Sequence, residues 1–215
     1  MKVVFLDRDG VINENRPDHV KSWQEFVFLP GALDALGFLR EAGWFTIVIT
    51  NQAIIHRNIV LRETVDEINH RMTQEVARSG GRLDAVLICP HRAKEGCGCR
   101  KPRPGLLLQA ADRFGLRLDQ CYLIGDALTD IAAGQAVGCF CVMVRTGRGR
   151  QQLVGREADR SSGYQIAADL SSAAHWITEV EQMRTSYQAW LQVPRGLLPA
   201  SPVRDPAQAA DVYEH

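Results

Sequence analysis

Apolar positions along the chain fall into two kinds of segment that alternate. Continuous, β-rich runs occur at Val3–Leu6, Phe45–Ile49, Ala85–Ile88, Tyr122–Ile124 and Phe140–Val144. Continuity rather than alternation marks strands buried on both faces. Between them lie helical patterns. Pro30-Gly31 opens one with Leu33, Leu36, Phe38 and Leu39 on its apolar face, closed by Gly43. A second carries Val65, Ile68, Met72 and Val76 at three- and four-residue steps before Gly80-Gly81. Pro104 suits the first turn of a third, with Leu107, Leu108, Ala111 and Phe114 expected inward. Strands alternating with helices predict right-handed βαβ units and an α/β fold, a doubly wound and mainly parallel sheet. Its ligands belong at the carboxyl ends of the strands.

Past about Glu181 the pattern weakens, and Pro194, Pro199, Pro202 and Pro206 interrupt every candidate element. The expected organisation is one domain over residues 1–180 and a poorly ordered C-terminal appendage over 181–215. The segments between Asn13 and Pro30 and around Ala53–Leu61 are too short to fold as a separate lid, so an open site without a large cap domain is expected.

Acidic and basic residues balance at 25 each, which leaves no long-range field to gather nucleic acid or an anionic membrane surface. The expected partner is a small molecule held by local charge, and the expected state is a monomer. The N-terminal apolar run is too short for a signal peptide, and no run is long enough to span a bilayer. A cytoplasmic location is the expectation. Six cysteines in such a chain point to metal ligands and buried thiols. Cys121, Cys139 and Cys141 lie in strand-like runs and read as core.

The chemistry gathers at strand ends. The first strand delivers Asp7-Arg8-Asp9-Gly10, and two carboxylates one residue apart can face one pocket, where Gly10 allows a sharp exit. One could attack phosphorus while the other exchanges a proton with the leaving group. Taken alone, the pair also fits a solvated acidic turn. A second cluster, Asp126 after Ile124-Gly125 with Asp130 one turn later, asks for a hard cation such as magnesium. Its bland alternative is a helix cap at Asp126 or Thr129. Thr50-Asn51-Gln52 at another strand end can hold phosphate oxygens, and Arg100-Lys101 supplies compact positive charge.

Directly before that pair stands Cys89-Pro90-His91, then Cys97-Gly98-Cys99. Four such ligands in one short loop, residues 89–99, match a closed tetrahedral zinc site with glycines that let the chain wrap the ion. With no position open for water, the zinc is expected to be structural and to place Arg100 and Lys101.

In their order along the chain, Asp7-x-Asp9, Thr50, Lys101 and Gly125-Asp126-x3-Asp130 resemble the haloacid dehalogenase superfamily of phosphohydrolases, with similarity to roughly residue 180. The resemblance implies Asp7 as nucleophile and Asp9 as acid/base. It implies magnesium on Asp7, the backbone carbonyl of Asp9, and Asp126. Thr50, Asn51 and Lys101 would hold the transferred phosphate, and Arg100 the distal end of a sugar phosphate. Beyond the resemblance, Arg57, whose planar fork suits phosphate, and His19 are expected as further substrate contacts. A zinc-loop branch acting on sugar bisphosphates is the first reading. The histidinol-phosphate phosphatases, which share a similar loop, are the second, and a zinc-stabilised binding protein with a decayed site is the third.

The family's usual run after the threonine is Thr-Asn-Gln-(Ser or Ala)-Gly-Ile-Ala-Arg-Gly, whereas this chain reads Thr50-Asn51-Gln52-Ala53-Ile54-Ile55-His56-Arg57-Asn58. Isoleucine in a turn that needs positive φ would be strained. Ala127 stands where Lys or Arg is common, and His19 where Tyr is common.

Overall fold

The computed structural model describes residues 1–154 and 163–191. Six strands, β1 (Val3–Leu6), β2 (Phe45–Asn51), β3 (Ala85–Cys89), β4 (Tyr122–Gly125), β5 (Phe140–Val144) and β6 (Tyr164–Ala167), form one sheet in the order β3-β2-β1-β4-β5-β6. Every pairing is parallel. The chain runs outward from β1 through β2 to β3, then returns to lay β4 beside β1. That reversal opens a crevice between the carboxyl ends of β1 and β4, where a doubly wound sheet places its ligand.

The helices are α1 (Ala32–Glu41), α2 (Arg62–Arg78), α3 (Gly105–Phe114), α4 (Leu128–Gln135), α5 (Gly149–Gln152) and α6 (Leu170–Leu191). Alternate strand residues Val3, Phe5, Ile47, Ile49, Leu123 and Cys141 share one core with Leu106, Leu107 and Ala110 of α3 and Ile131 of α4. Side chains of opposite parity, such as Val4, Leu6, Val48 and Ile124, are equally buried and point to the other face. On α2 the apolar residues Val65, Ile68, Met72 and Val76 are all buried. Cys121, Cys139 and Cys141 are buried as expected.

The inward face of α3 corrects the sequence reading. Leu106, Leu107 and Ala110 are buried, while Leu108 is half exposed. Three consecutive leucines leave the rotation of a helix undetermined by periodicity. Gly105 decides it: its N–H donates to Gly98 O at 3.0 Å, and a Cβ there would lie 2.4 Å from that oxygen. The helix start is thus pressed against the cysteine loop.

Met1–Thr178 forms one compact unit and Glu179–His215 a second. Helix α6 runs past Glu181 to Leu191. The rest of the expected appendage lies outside the described residues. No described helix is long and apolar enough to cross a membrane.

Candidate active site

Asp7 follows β1 and its backbone N–H donates to Ile124 O of β4 at 3.0 Å, which fixes it at the crevice. Asp9 sits over the same opening, held by four side-chain donations. Arg8 Nη2 donates to both oxygens at 3.0 Å, Asn13 Nδ2 to Oδ1 at 2.9 Å and Gln52 Nε2 to Oδ2 at 2.7 Å. Burial would raise the pKa of Asp9, but Arg8 and these donors outweigh it and hold the carboxyl below its ordinary value. The reverse holds at Asp7. Burial, helped by Asp130 and opposed by Lys101, pushes it up to about 6.

Asp126 directly follows β4 and is fully buried. Burial and then Asp7 raise its pKa, against hydrogen bonds from Arg148. Two glycine loops close around it. A Cβ at Gly10 (φ +92°) or at Gly147 (φ +53°) would lie 2.2 Å from Asp126 Oδ2, and neither φ suits a side chain. Asp126 is not the helix cap: Ala127 occupies that position, and Asp130 caps by accepting from its N–H at 3.0 Å. Ala127 fits the turn with an extended backbone and a buried methyl.

Lys101 is the cation at the centre. Its Nζ lies 2.9 Å from Asp7 Oδ1 and 2.8 Å from Asp130 Oδ1, and donates to Ile49 O at 2.8 Å. Burial would lower its pKa, yet the two aspartates raise it. Asn51 pins its backbone from both sides, donating to Lys101 O at 3.1 Å and accepting from its N–H at 3.2 Å. Asp7, Asp9, Thr50, Asn51, Arg100, Lys101 and His19 all line one cavity of about 360 Å³.

Carboxylate oxygens of Asp7, Asp126 and Asp130 lie within 4.8 Å of one another. Three buried carboxylates in a cradle kept open by two glycines fit a hard divalent cation. Lys101 contacts Asp7 and Asp130 and Arg148 contacts Asp126, so each carboxylate of the cradle faces a cationic side chain.

Arg57 is not in the cavity wall. It reaches the site through His19, whose Nε2 lies 3.2 Å from its Nη1. Burial and then Arg57 push the His19 pKa down. The strained turn expected at Ile54 is absent. Among described residues only His19 (φ 66°) and Asn58 (φ 55°) are non-glycine residues with positive φ, and Ile54 is a fully buried core residue. The left-handed position falls on Asn58, whose type tolerates it.

Arg8, Asn13 and Arg148 carry parts of the site beyond the sequence-derived set, and Gln52, expected near the phosphate, holds Asp9 instead. Arg148 donates its N–H to Asp126 Oδ2 at 2.8 Å and its Nη2 to Oδ1 at 3.1 Å, and lines the cavity. In sequence it stands only as an arginine shortly after the apolar run Phe140–Val144. Arg8, 1% exposed, lies inside a D-x-D motif whose middle position has no evident role in the motif itself.

The cysteine loop is assembled as expected. Sγ of Cys89 lies 3.7 Å from Sγ of Cys97 and 3.3 Å from that of Cys99, and Cys97 and Cys99 are 3.5 Å apart. His91 Nδ1 is 3.6 Å from Cys89 and 3.3 Å from Cys99. A tetrahedron with Zn–S of about 2.3 Å has edges near 3.8 Å, so the set fits zinc with a slight expansion.

Fold and site together define a phosphohydrolase of the haloacid dehalogenase type, and the chain belongs to that family. The HAD-hydrolase-like family matches residues 98–173. A relative from Bordetella bronchiseptica, a D-glycero-beta-D-manno-heptose-1,7-bisphosphate 7-phosphatase, is 36% identical over 83% of this chain and 99% of its own length. One of the same name from Pseudomonas putida is 40% identical over 71% of this chain and 87% of its own. The crystal structure of the B. bronchiseptica D,D-heptose 1,7-bisphosphate phosphatase with magnesium and phosphate superposes with a TM-score of 0.79, covering 83% of this chain and 99% of that one. The chain is an enzyme, a phosphatase.

Proposed function

We propose that the protein is a magnesium-dependent D-glycero-D-manno-heptose 1,7-bisphosphate 7-phosphatase. The observation that carries this reading is the composition of one cavity. Asp7, Asp9 and Lys101 share it with Arg16, Arg100 and Arg148, more cationic groups than a single phosphate requires. A sugar with two phosphates suits it, and the B. bronchiseptica and P. putida relatives bear that activity in their names.

In the first half-reaction an Asp7 oxygen attacks phosphorus, the phosphorus–ester oxygen bond breaks, and the leaving sugar oxygen takes a proton from Asp9. In the second, water attacks the aspartyl phosphate while Asp9 takes its proton, and the bond to Asp7 breaks to release phosphate. The depressed pKa of Asp9 favours the carboxylate that this second half needs and disfavours the protonated form that the first half needs. Magnesium, held by Asp7, the Asp9 carbonyl and Asp126, supplies charge neutralisation at the phosphoryl oxygens when bound. Thr50, Asn51 and Lys101 hold the transferred phosphate, and Lys101 offsets its charge. Arg100, with Arg57 and His19, receives the distal phosphate, for which a planar guanidinium fork is suited.

Zinc on Cys89, His91, Cys97 and Cys99 is part of the same proposal, as a structural ion. Its support is the closed four-ligand geometry. So is a cytoplasmic site of action, supported by cysteines that read as three metal ligands and three buried thiols. Residues 1–180 are proposed to carry the activity, supported by the compactness of Met1–Thr178.

The test compares kcat/KM for the heptose bisphosphate, histidinol phosphate and an aryl phosphate in wild type and Arg100→Ala. The expected result is a wild-type preference for the bisphosphate that Arg100→Ala weakens, with aryl phosphate turnover little changed. A wild type that prefers histidinol phosphate would refute the substrate.

A further inference from the structure

The loop between β2 and α2 and the cysteine loop are separate in sequence; Gln52 N–H donates to Cys89 O at 2.8 Å where they begin, and further out they are joined through His56. His56 Nδ1 lies 2.8 Å from Glu95 Oε2. Glu95 has little freedom, because its Oε1 accepts from the Arg92 backbone N–H at 2.9 Å and from Arg92 Nε at 3.0 Å. Its turn, Ala93–Glu95, is bounded by the metal-site residues His91 and Cys97. The His56 ring also meets the His91 ring edge-on, with centroids 4.9 Å apart and planes at 74°.

Each loop carries an arginine assigned above to the distal phosphate. On the first, Arg57 follows His56 directly and contacts His19 of the cavity wall. On the second, Arg100 Nη1 donates to His91 O at 3.1 Å, so its position depends on the same zinc-site residue that His56 packs against. The β2–α2 loop is anchored at one end by buried Ile54 and closed on itself by Arg57 N–H to Ala53 O and Ile59 N–H to Ile54 O, both at 3.0 Å. It is a turn whose base is held to the cysteine loop by Gln52 N–H on Cys89 O and whose tip is held there by His56.

We infer that His56 is a specificity-determining positioning residue: through Glu95 it fastens the β2–α2 loop to the zinc loop, so that Arg57 and Arg100 present to one distal anion of the substrate. This rests on the proposed reading that the distal group is a phosphate held by these arginines. The zinc site thereby contributes to substrate selection as well as to stability.

The experiment uses the full-length, zinc-loaded protein and the variants His56→Ala, Glu95→Gln and the pair combined, with His56→Gln to restore a hydrogen bond. Heptose bisphosphate and an aryl phosphate are the probes, and zinc content is measured on each preparation. His56→Ala should raise KM for the bisphosphate ~10-fold, the scale of one charge-assisted hydrogen bond, with kcat and aryl phosphate turnover within about twofold. Glu95→Gln, which keeps an acceptor and removes the charge, should lose part of this, the double variant no more than His56→Ala, and His56→Gln should recover part of the loss. Zinc content should not change.

An unchanged KM in His56→Ala, additive losses in the double variant, equal loss on both substrates, or loss of zinc would each overturn the inference. Wild-type protein inactive on the heptose bisphosphate would instead overturn the proposed function, which separates the two failures.

Discussion

Lys101 Nζ lies 2.9 Å from Asp7 Oδ1, an ion pair that is almost fully buried and joins the end of β1 to the exit of the cysteine loop. It places a permanent cation beside the proposed attacking oxygen. It also ties the site's chemistry to the fold's stability, because neither charge reaches solvent without its partner.

Replacing that lysine is therefore expected to cost more than activity. Lys101→Met should leave Asp7 and Asp130 without their cation, destabilising the protein by ~3–5 kcal/mol. Thermal denaturation should move down by several degrees, and phosphate release should be abolished. A variant with wild-type melting and measurable turnover would contradict this account of Lys101.

Asp7→Asn removes the anionic oxygen and hardly alters shape. Turnover should fall by ~10⁴-fold or more, as for other nucleophile deletions. Mass spectrometry of protein trapped with a phosphoryl mimic should locate the adduct on Asp7; an adduct on another residue would move the assignment.

The pH profile carries a sign. Asp7 has its pKa raised to about 6 by burial and by Asp130, against Lys101. Below that value the neutral carboxyl can neither attack nor bind magnesium, so at limiting magnesium kcat/KM should fall about tenfold per unit as pH drops below 6. Raising magnesium should carry this acidic limb to lower pH, since metal and proton compete for one carboxylate.

Cys97→Ser or Cys99→Ser should lower zinc content and melting temperature together, because the binding free energy of a structural zinc is largely folding free energy. Phosphatase activity should decline as a consequence, through Arg100 and Lys101 at the loop's exit. Zinc-free protein with unchanged melting and rate would exclude a structural role.

Ile54 is a core residue, so Ile54→Ala should cost ~2–5 kcal/mol in denaturant unfolding. Asn58→Gly, at φ 55°, should be close to neutral. A strain-free gain in stability from Ile54→Gly would restore the turn expected from sequence.

The sequence by itself determined which residues stand at strand ends. Buried parallel strands are continuous apolar runs, and the residues that end each run, Asp7-Arg8-Asp9, Thr50-Asn51 and Gly125-Asp126, are local information. The cysteine loop was equally legible, since all four of its ligands lie within residues 89–99 and loop spacing alone restricts their geometry. Strand β6 was not legible: Tyr164–Ala167 is four residues with an exposed Gln165 at the sheet edge, where burial imposes no pattern. Tertiary structure alone decided the rest. Which of Leu106, Leu107 and Leu108 faces inward depends on Gly105 meeting Gly98. Whether Ile54 is strained depends on where the loop turns left-handed. The grip of Arg8, Gln52 and Arg148 on the carboxylates, and of His56 on Glu95, arises because folding brings ionic and polar groups from separate segments into a low-dielectric crevice. There each must find a partner, and no local pattern records which one it finds.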